Sequence, residues 1–248
     1  MNGINQLNHE SLARARSEIF QADGIAVLTG AGISAESGVP TFRGPGGLWN
    51  NYRAEELATP EAFRRDPRLV WEWYQWRRNL MAEKKPNPGH LALAELEERT
   101  PDFTLITQNV DGLHALAGSR NILELHGSIW RTRCVSCGGK AAGREPWPEL
   151  PPRCPTCRGL VRPDVVWFGE ALNEALLGRA FAAASACRVM LVVGTSALVQ
   201  PAATVAWLAQ KAGAVLIEVN VEPTPLSARA QFSLMGPSGR ILPLLIEK

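Results

Sequence analysis

Two cysteine pairs and one histidine set out the chemistry this chain could do. Cys134-Val-Ser-Cys137 and Cys154-Pro-Thr-Cys157 are C-x-x-C knuckles separated by sixteen residues, the spacing of a four-thiolate zinc site. Each knuckle lets two thiolates converge from one tight turn, and two knuckles complete a tetrahedron with no open position. A metal so enclosed is structural and cannot activate water. Paired disulfides are the rival reading, but nothing in the chain reads as secretory. Chemistry must then sit beside the metal, and His126 lies eight residues upstream of Cys134. An imidazole there could take a proton near neutral pH. Taken alone, a histidine at the end of an apolar run is more often a core or capping residue than a catalyst.

The elements that must position these groups belong to an ordinary soluble globular chain. Its 248 residues suffice for one good-sized domain, or for one domain carrying a smaller one. Hydrophobic residues make up 46% and charged residues 20%, and the formal net charge of +2 is too small to argue for nucleic acid or a membrane surface. Residues 1–20 hold Glu10, Arg14, Arg16 and Glu18 without an apolar core, so no signal peptide is expected. No apolar run approaches bilayer length. Cys187, in an alanine-rich segment, reads as a small buried hydrophobe. A cytoplasmic location is the expectation.

An amphipathic helix is expected over 11–21, followed by a short, continuously apolar strand over 24–29, as in a buried parallel sheet. It breaks into Gly30-Ala-Gly32-Ile-Ser-Ala35, which fits G-x-G-x-x-G/A between a strand and a helix. The pattern reads either as a pyrophosphate loop or as a glycine turn between packed elements. The acidic residue expected about twenty positions on is absent from any strand; Thr41 to Trp49 is glycine-rich loop carrying Arg43, which suggests a flap over a ligand. Thr59-Pro60 and Asp66-Pro67 each cap a helix. In the second, Leu69, Trp73, Trp76 and Leu80 form the expected core stripe, while Tyr74 and Arg77 share a neighbouring face with Val70 and Met81. That helix ends before a linker, 84–88. A helix over 90–98 and a strand over 103–107 lead into Gln108-Asn109-Val-Asp111, polar groups at a strand's carboxyl end that serve a ligand or cap a helix. A strand over 121–125 ends at His126, on the same rim. Residues 164–170 form an exposed-looking apolar segment. Strands over 189–193 and 214–219, with helices over 173–186 and 202–212, complete an alternation that means a parallel sheet covered on both faces.

The segments Gly30-Ala-Gly-Ile-Ser, Pro40-Thr-Phe-Arg43, Thr107-Gln-Asn-Val-Asp111, His126-Gly127, the four cysteines, Trp167-Phe-Gly-Glu170 and Gly194-Thr-Ser196 occur in that order. Together they resemble a sirtuin, an NAD-dependent protein-lysine deacylase, over nearly the whole chain from Gly24 to Gly239. The resemblance implies cleavage of the nicotinamide–ribose bond with attack of the acyl oxygen on the anomeric carbon, giving nicotinamide and O-acyl-ADP-ribose. It makes His126 the general base that deprotonates a ribose hydroxyl. Asn109 and Asp111 become the groups that hold nicotinamide and its ribose, with Asn109 also catalytic and Gln108 on the ribose. Ala31, Ile33, Phe42 and Arg43 match the loop that shields the nicotinamide pocket and grips the phosphates. Gly194, Thr195 and Ser196 match diphosphate contacts, Asn220 and Glu222 the adenosine ribose, and Ser238 an adenine contact. Gly30, Gly32, Ser34, Glu36, Thr41, Trp49, Val110 and Val221 complete the cofactor set. Val166, Trp167, Phe168, Gly169 and Glu170 match the strand to which a substrate peptide adds.

Within that family the pair Tyr74-Gln-Trp-Arg77 resembles the branch that prefers malonyl and succinyl over acetyl, with Ala58 leaving the acyl pocket wide. The expected fold is a Rossmann-type doubly wound parallel sheet from residues 1–45, 100–130 and 163–248. A helical insertion, 46–99, and a zinc-ribbon module, 131–162, form the smaller domain. NAD, one structural zinc ion and acylated-lysine proteins or peptides are the implied partners, without membrane or nucleic acid. An acetyl-preferring deacetylase, a mono-ADP-ribosyltransferase on the same scaffold and a non-catalytic NAD-sensing module are the alternatives.

Overall fold

The computed structural model describes residues 9–40, 48–49 and 52–247, the side chains of 48 and 49 excepted. Helix α1 (His9–Gln21) feeds strand β1 (Gly24–Thr29), which turns into the short helix α2 (Ala31–Ala35). A two-residue pair, β2 (Leu48–Trp49) and β3 (Tyr52–Arg53), stands in the expected loop region and leads to α3 (Ala54–Leu57), α4 (Pro60–Arg65) and α5 (Pro67–Ala82). Then come α6 (Pro88–Arg99), β4 (Asp102–Thr107), α7 (Leu113–Ala117) and β5 (Ile122–Glu124). Three antiparallel strands follow, β6 (Gly127–Cys134), β7 (Lys140–Ala142) and β8 (Val161–Val165). The chain closes with α8 (Glu174–Ala186), β9 (Val189–Val193), α9 (Ala202–Lys211), β10 (Val215–Asn220), β11 (Phe232–Met235) and α10 (Ser238–Ile246).

Six strands form one parallel sheet in the order β11-β10-β9-β1-β4-β5. The chain runs outward from β1 through β4 and β5, then returns to the other side of β1 and runs outward through β9, β10 and β11. Strand order therefore reverses between β1 and β9, and the loops leaving their carboxyl ends diverge there, the place where open α/β sheets bind ligands. Every residue of β1 is buried. Because side chains alternate across a strand, Ile25 and Val27 enter a core made with α1, α6 and α10, while Ala26 and Leu28 enter a second core with α8 and α9. Two covered faces explain why β1 reads as continuously apolar.

The smaller module has its own core, built from Leu57, Phe63, Trp71, Trp73, Tyr74, Ile129, Trp130, Cys134, Cys154 and Trp167. The Thr59 hydroxyl accepts from Ala62 N at 3.0 Å and the Asp66 carboxylate from Leu69 N at 3.0 Å, so both expected caps form. The buried face of α5 differs from the expected stripe. Val70, Trp71, Trp73, Tyr74, Arg77, Arg78 and Met81 are inside, whereas Trp76 is 39% exposed and Leu69 and Leu80 lie at the margin. A hydrophobic count favours the tryptophan at 76; the helix instead turns Arg77 and Arg78 inward, where carbonyls and aromatic rings receive them. Residues 84–88 are not only linker, since Asn87 caps α6 by accepting from Gly89 N at 2.9 Å. The sequence places α6 in the helical insertion, but its Ala92, Leu93 and Leu96 pack into the core of the parallel sheet.

Candidate active site

At the reversal point the loops after β1 and β9 cross at backbone contact. Gly32 N donates to Gly194 O at 2.7 Å and Gly30 N to Val193 O at 3.0 Å. A Cβ on Gly32 would lie 2.7 Å from Gly194 Cα, and one on Gly30 would lie 2.7 Å from Thr195 Cβ. These glycines are thus required by the crossing of two segments of the chain, in addition to any close approach of a phosphate. The loop after β4 completes the rim. Asn109 Nδ2 donates to Gly30 O at 3.0 Å and to Ser34 Oγ at 3.2 Å. Asp111 Oδ1 accepts from Leu113 N at 2.9 Å at the start of α7, and Oδ2 accepts from the Ser34 hydroxyl at 2.8 Å. Burial raises the Asp111 pKa, opposed by these two hydrogen bonds and by Arg77 and Arg144.

Gln108 spans the rim, with Nε2 donating to Thr195 Oγ1 at 3.0 Å, while Asn220 Nδ2 donates to Thr195 O at 2.9 Å. His126 enters from the end of β5. Its Nδ1 lies 2.8 Å from Gln108 O, and a carbonyl can only accept, so Nδ1 carries the proton and Nε2 keeps its lone pair. Burial lowers the His126 pKa below the usual imidazole value, against a smaller opposing effect of the Gln108 bond. A neutral imidazole with an unprotonated Nε2 is the form that accepts a proton. Gly127 follows at φ +78°, where a side chain would strike the Asp164 carbonyl.

Other residues named from the sequence fall as follows. Ala31, Ile33, Ser34, Val110, Gly194, Thr195 and Ser196 lie on or beside the crossing loops. Val221 and Glu222 are exposed after β10. Glu36 accepts from Gly239 N at 2.8 Å and from the Ser238 hydroxyl at 3.1 Å, tying the first loop to the start of α10. Thr41, Phe42 and Arg43 lie outside the described residues, as does the side chain of Trp49.

Behind the rim lies a buried network that the sequence reading did not identify. Thr29 Oγ1 donates to Thr107 Oγ1 at 2.8 Å and lies 3.0 Å from His114 Nε2; His90 Nε2 lies 3.4 Å from Ser34 Oγ. Burial pushes His90 down to about 4, and burial with the nearby His90 charge pushes His114 down to about 3. A histidine inside a helix gives no local sign that it faces a polar core, so only the strand-end threonines hint at it.

The second half of the site is apolar. Tyr74 is fully buried and Arg77 is 6% exposed. The Arg77 guanidinium carbon lies 4.9 Å from the Trp73 ring centre and 5.7 Å from that of Tyr74. Burial lowers Arg77 to about 10, with Tyr74 and Asp111 opposing, so it remains a cation at neutral pH. Trp167 Nε1 donates to Tyr74 Oη at 2.8 Å. The segment expected to look exposed divides: Trp167 is 2% exposed and Phe168 54%. Trp167 is drawn in because Arg162 lies over its ring at 3.3 Å and bonds Glu170 at 2.5 and 2.9 Å, while Glu170 accepts from Trp167 N at 2.8 Å. Phe168 N donates to Ala58 O at 2.9 Å and Val166 N to His126 O at 2.9 Å, which fixes this segment against both halves, with Gly169 exposed beyond it.

The sulfurs of Cys134, Cys137, Cys154 and Cys157 all lie within 4.8 Å of one another, with Cys134–Cys157 at 3.4 Å and Cys137–Cys154 at 3.7 Å. These separations far exceed a disulfide bond of about 2.05 Å and match the roughly 3.8 Å edge of a tetrahedron with ~2.3 Å zinc–sulfur bonds. The four thiols fit one zinc ion. Among the described residues no helix is long and apolar enough to cross a membrane.

Against known proteins, the model of the Sir2 family matches residues 30–201. The chain belongs to the Sir2 family. A Pyrobaculum aerophilum relative, NAD-dependent protein deacylase 2, is 56% identical over 222 residues, 90% of this chain and 89% of that one. A solved Sir2 homolog–NAD complex superposes with a TM-score of 0.89 at 46% identity, covering 94% of this chain and 92% of the other. The structure of Sir2Af2 bound to a myristoylated histone peptide superposes at 0.77 with 35% identity, covering 96% and 95%. This Sir2-family chain thus shares its architecture with proteins solved with NAD and with an acylated peptide. The sirtuin resemblance, the parallel Rossmann-type sheet and the four-cysteine cluster all hold.

Proposed function

We propose that this chain removes acidic acyl groups, succinyl or malonyl, from lysine side chains of proteins, and acetyl less well. Its family and its curated relatives make it an NAD-dependent protein deacylase. The observation that carries the finer reading is the burial of the Arg77 cation among aromatic rings, one helical turn from the Tyr74 hydroxyl. A succinyl chain ends in a carboxylate, which a guanidinium in an apolar pocket meets with a bidentate, charge-assisted bond. Ala58 leaves room for the longer acyl chain.

NAD supplies the activated ribose carbon that takes the acyl oxygen when nicotinamide leaves. The residues of the chain hold and orient the reactants around that exchange. Asn109 and Asp111 receive nicotinamide and its ribose, and Gln108 the ribose. Ala31, Ile33, Phe42 and Arg43 shield the pocket and grip the phosphates, with Gly194, Thr195 and Ser196 beside them. Asn220 and Glu222 take the adenosine ribose, and Ser238 the adenine. His126, neutral and unprotonated at Nε2, removes a ribose proton as general base. The acylated peptide adds along Val166 to Glu170 by strand pairing, between the parallel-sheet layer and the smaller module, and one zinc held by the four cysteines supports that module. Catalysis is assayed by nicotinamide release on one peptide sequence bearing acetyl, malonyl or succinyl lysine. Faster turnover of the acidic acyl groups is expected; a preference for acetyl overturns the specificity, and nicotinamide release independent of acyl-peptide overturns the deacylase reading.

A further inference from the structure

We infer that Trp130 is a positioning residue for the NAD end of the site, through which the four-cysteine module fixes the place of Asp111. The Trp130 Nε1–H donates to the main-chain oxygen of Asp111 at 2.6 Å. The indole is 7% exposed and lies against two cations, with the Arg144 guanidinium 4.3 Å and that of Arg78 5.1 Å from the ring centre. Arg78 in turn donates to Ile129 O at 2.6 Å, Gly143 O at 2.7 Å and Glu145 O at 3.1 Å, and Gly143 N donates to Trp130 O at 3.0 Å. The ring is therefore clamped by helix α5 and by the loop that follows β7.

The clamp belongs to the cysteine module. Trp130 lies on β6, the strand that ends at Cys134, and β6 pairs with β7 through Arg131 to Arg133. On the other side, Gly112 follows Asp111 at φ +74°, and a Cβ there would lie 2.9 Å from Trp130 Cδ1. The turn that aims the Asp111 carboxylate is thus seated directly on the indole, with one hydrogen bond fixing its height. No side chain of Trp130 needs to touch NAD for this to matter; it acts by holding the backbone of a residue that does.

The inference rests on Asp111 serving NAD, and the experiment separates the two. Kinetics on the full zinc-loaded chain, varying NAD and acyl-peptide in turn, compare wild type with Trp130→Phe, Arg144→Gln and Asp111→Asn. Trp130→Phe keeps an aromatic ring beside the two cations while removing the N–H and part of the indole's volume. The expected result is a rise of about five- to tenfold in the KM for NAD, the size of one lost buried hydrogen bond, with the KM for peptide and the zinc content unchanged. Arg144→Gln, at an exposed position, loosens one face of the clamp and raises the same KM by about two- to threefold. An unchanged KM for NAD, or equal rises for NAD and peptide, overturns the inference; if Trp130→Phe does not fold, Arg144→Gln decides by the same criterion. Wild-type NAD behaviour in Asp111→Asn removes the reading of Asp111 itself, whereas a defect there beside a normal Trp130→Phe removes only the role of Trp130.

Discussion

Trp167 donates its indole N–H to the Tyr74 hydroxyl oxygen at 2.8 Å, and both rings are buried. That bond uses the oxygen as an acceptor and turns the Tyr74 O–H proton away from Trp167, free to serve the acyl group of the proposed reaction. Trp167→Phe keeps an aromatic side chain, though a smaller one, and frees the Tyr74 oxygen to turn. The succinyl-to-acetyl ratio of kcat/KM should fall about five- to tenfold, the size of one misdirected hydrogen bond. Parallel loss on both acyl groups would reduce Trp167 to a packing role.

Arg77 is the stronger lever on the same pocket. Arg77→Met retains an apolar stem of similar length and removes the charge. Desuccinylation should drop by about two to three orders of magnitude, the size of a lost charged hydrogen bond in a dry site, while deacetylation is spared or slightly improved. Equal losses on one peptide sequence would exclude the acidic-acyl assignment.

His126→Ala should leave the fold and NAD binding largely intact and cut deacylation by at least about a hundredfold, the range for a general base. Burial lowers the His126 pKa, so the base is already neutral at physiological pH. In the wild type, kcat/KM should be flat through pH 7 and decline only on acidification below the ordinary imidazole range, near 6.5. An acid limb centred above that value would contradict the assignment of His126.

Much of this was legible from residue types, and the exceptions share a cause. Strands β1 and β9 are buried at every position and mostly apolar because both sheet faces are covered, and their sequence bounds match the structure. Caps at Thr59 and Asp66 are local and were likewise readable. The inward face of α5 was not, because periodicity identifies a stripe but cannot tell that carbonyls at Ile129, Gly143 and Glu145 await Arg78. Strand β11 has four residues and α10 contains Pro243, so neither announces itself. In the site, Asn109, Asp111 and His126 stand at strand ends and could be found; His90, His114 and Trp130 act through partners distant in sequence and could not.

The cysteine cluster should act through folding. Cys137→Ser removes one of four ligands, and a structural site contributes its binding free energy to stability. Zinc content below one per chain, a lower melting temperature and reduced solubility should accompany the loss of activity. A soluble variant with normal melting that lost activity alone would point to a metal with a chemical role.

The buried histidines set an acid limit on stability. His90 and His114 are held at about 4 and about 3 in the folded chain, against a usual value near 6.5. Between those values the unfolded chain binds more protons than the folded one, so stability rises with pH there. The contribution is fully present above about 6.5 and is lost progressively as pH falls toward 3 to 4. Asp111, raised by burial, works in the opposite sense, so the informative quantity is a difference between variants. His114→Gln supplies a neutral partner to Thr29 and cannot charge. Melting temperatures measured from pH 4 to 7 should show the variant less stable at neutral pH but with a shallower acid slope than the wild type. Parallel curves would mean that His114 is protonated without cost, and that its burial between Thr29 and His90 is not what limits the fold in acid.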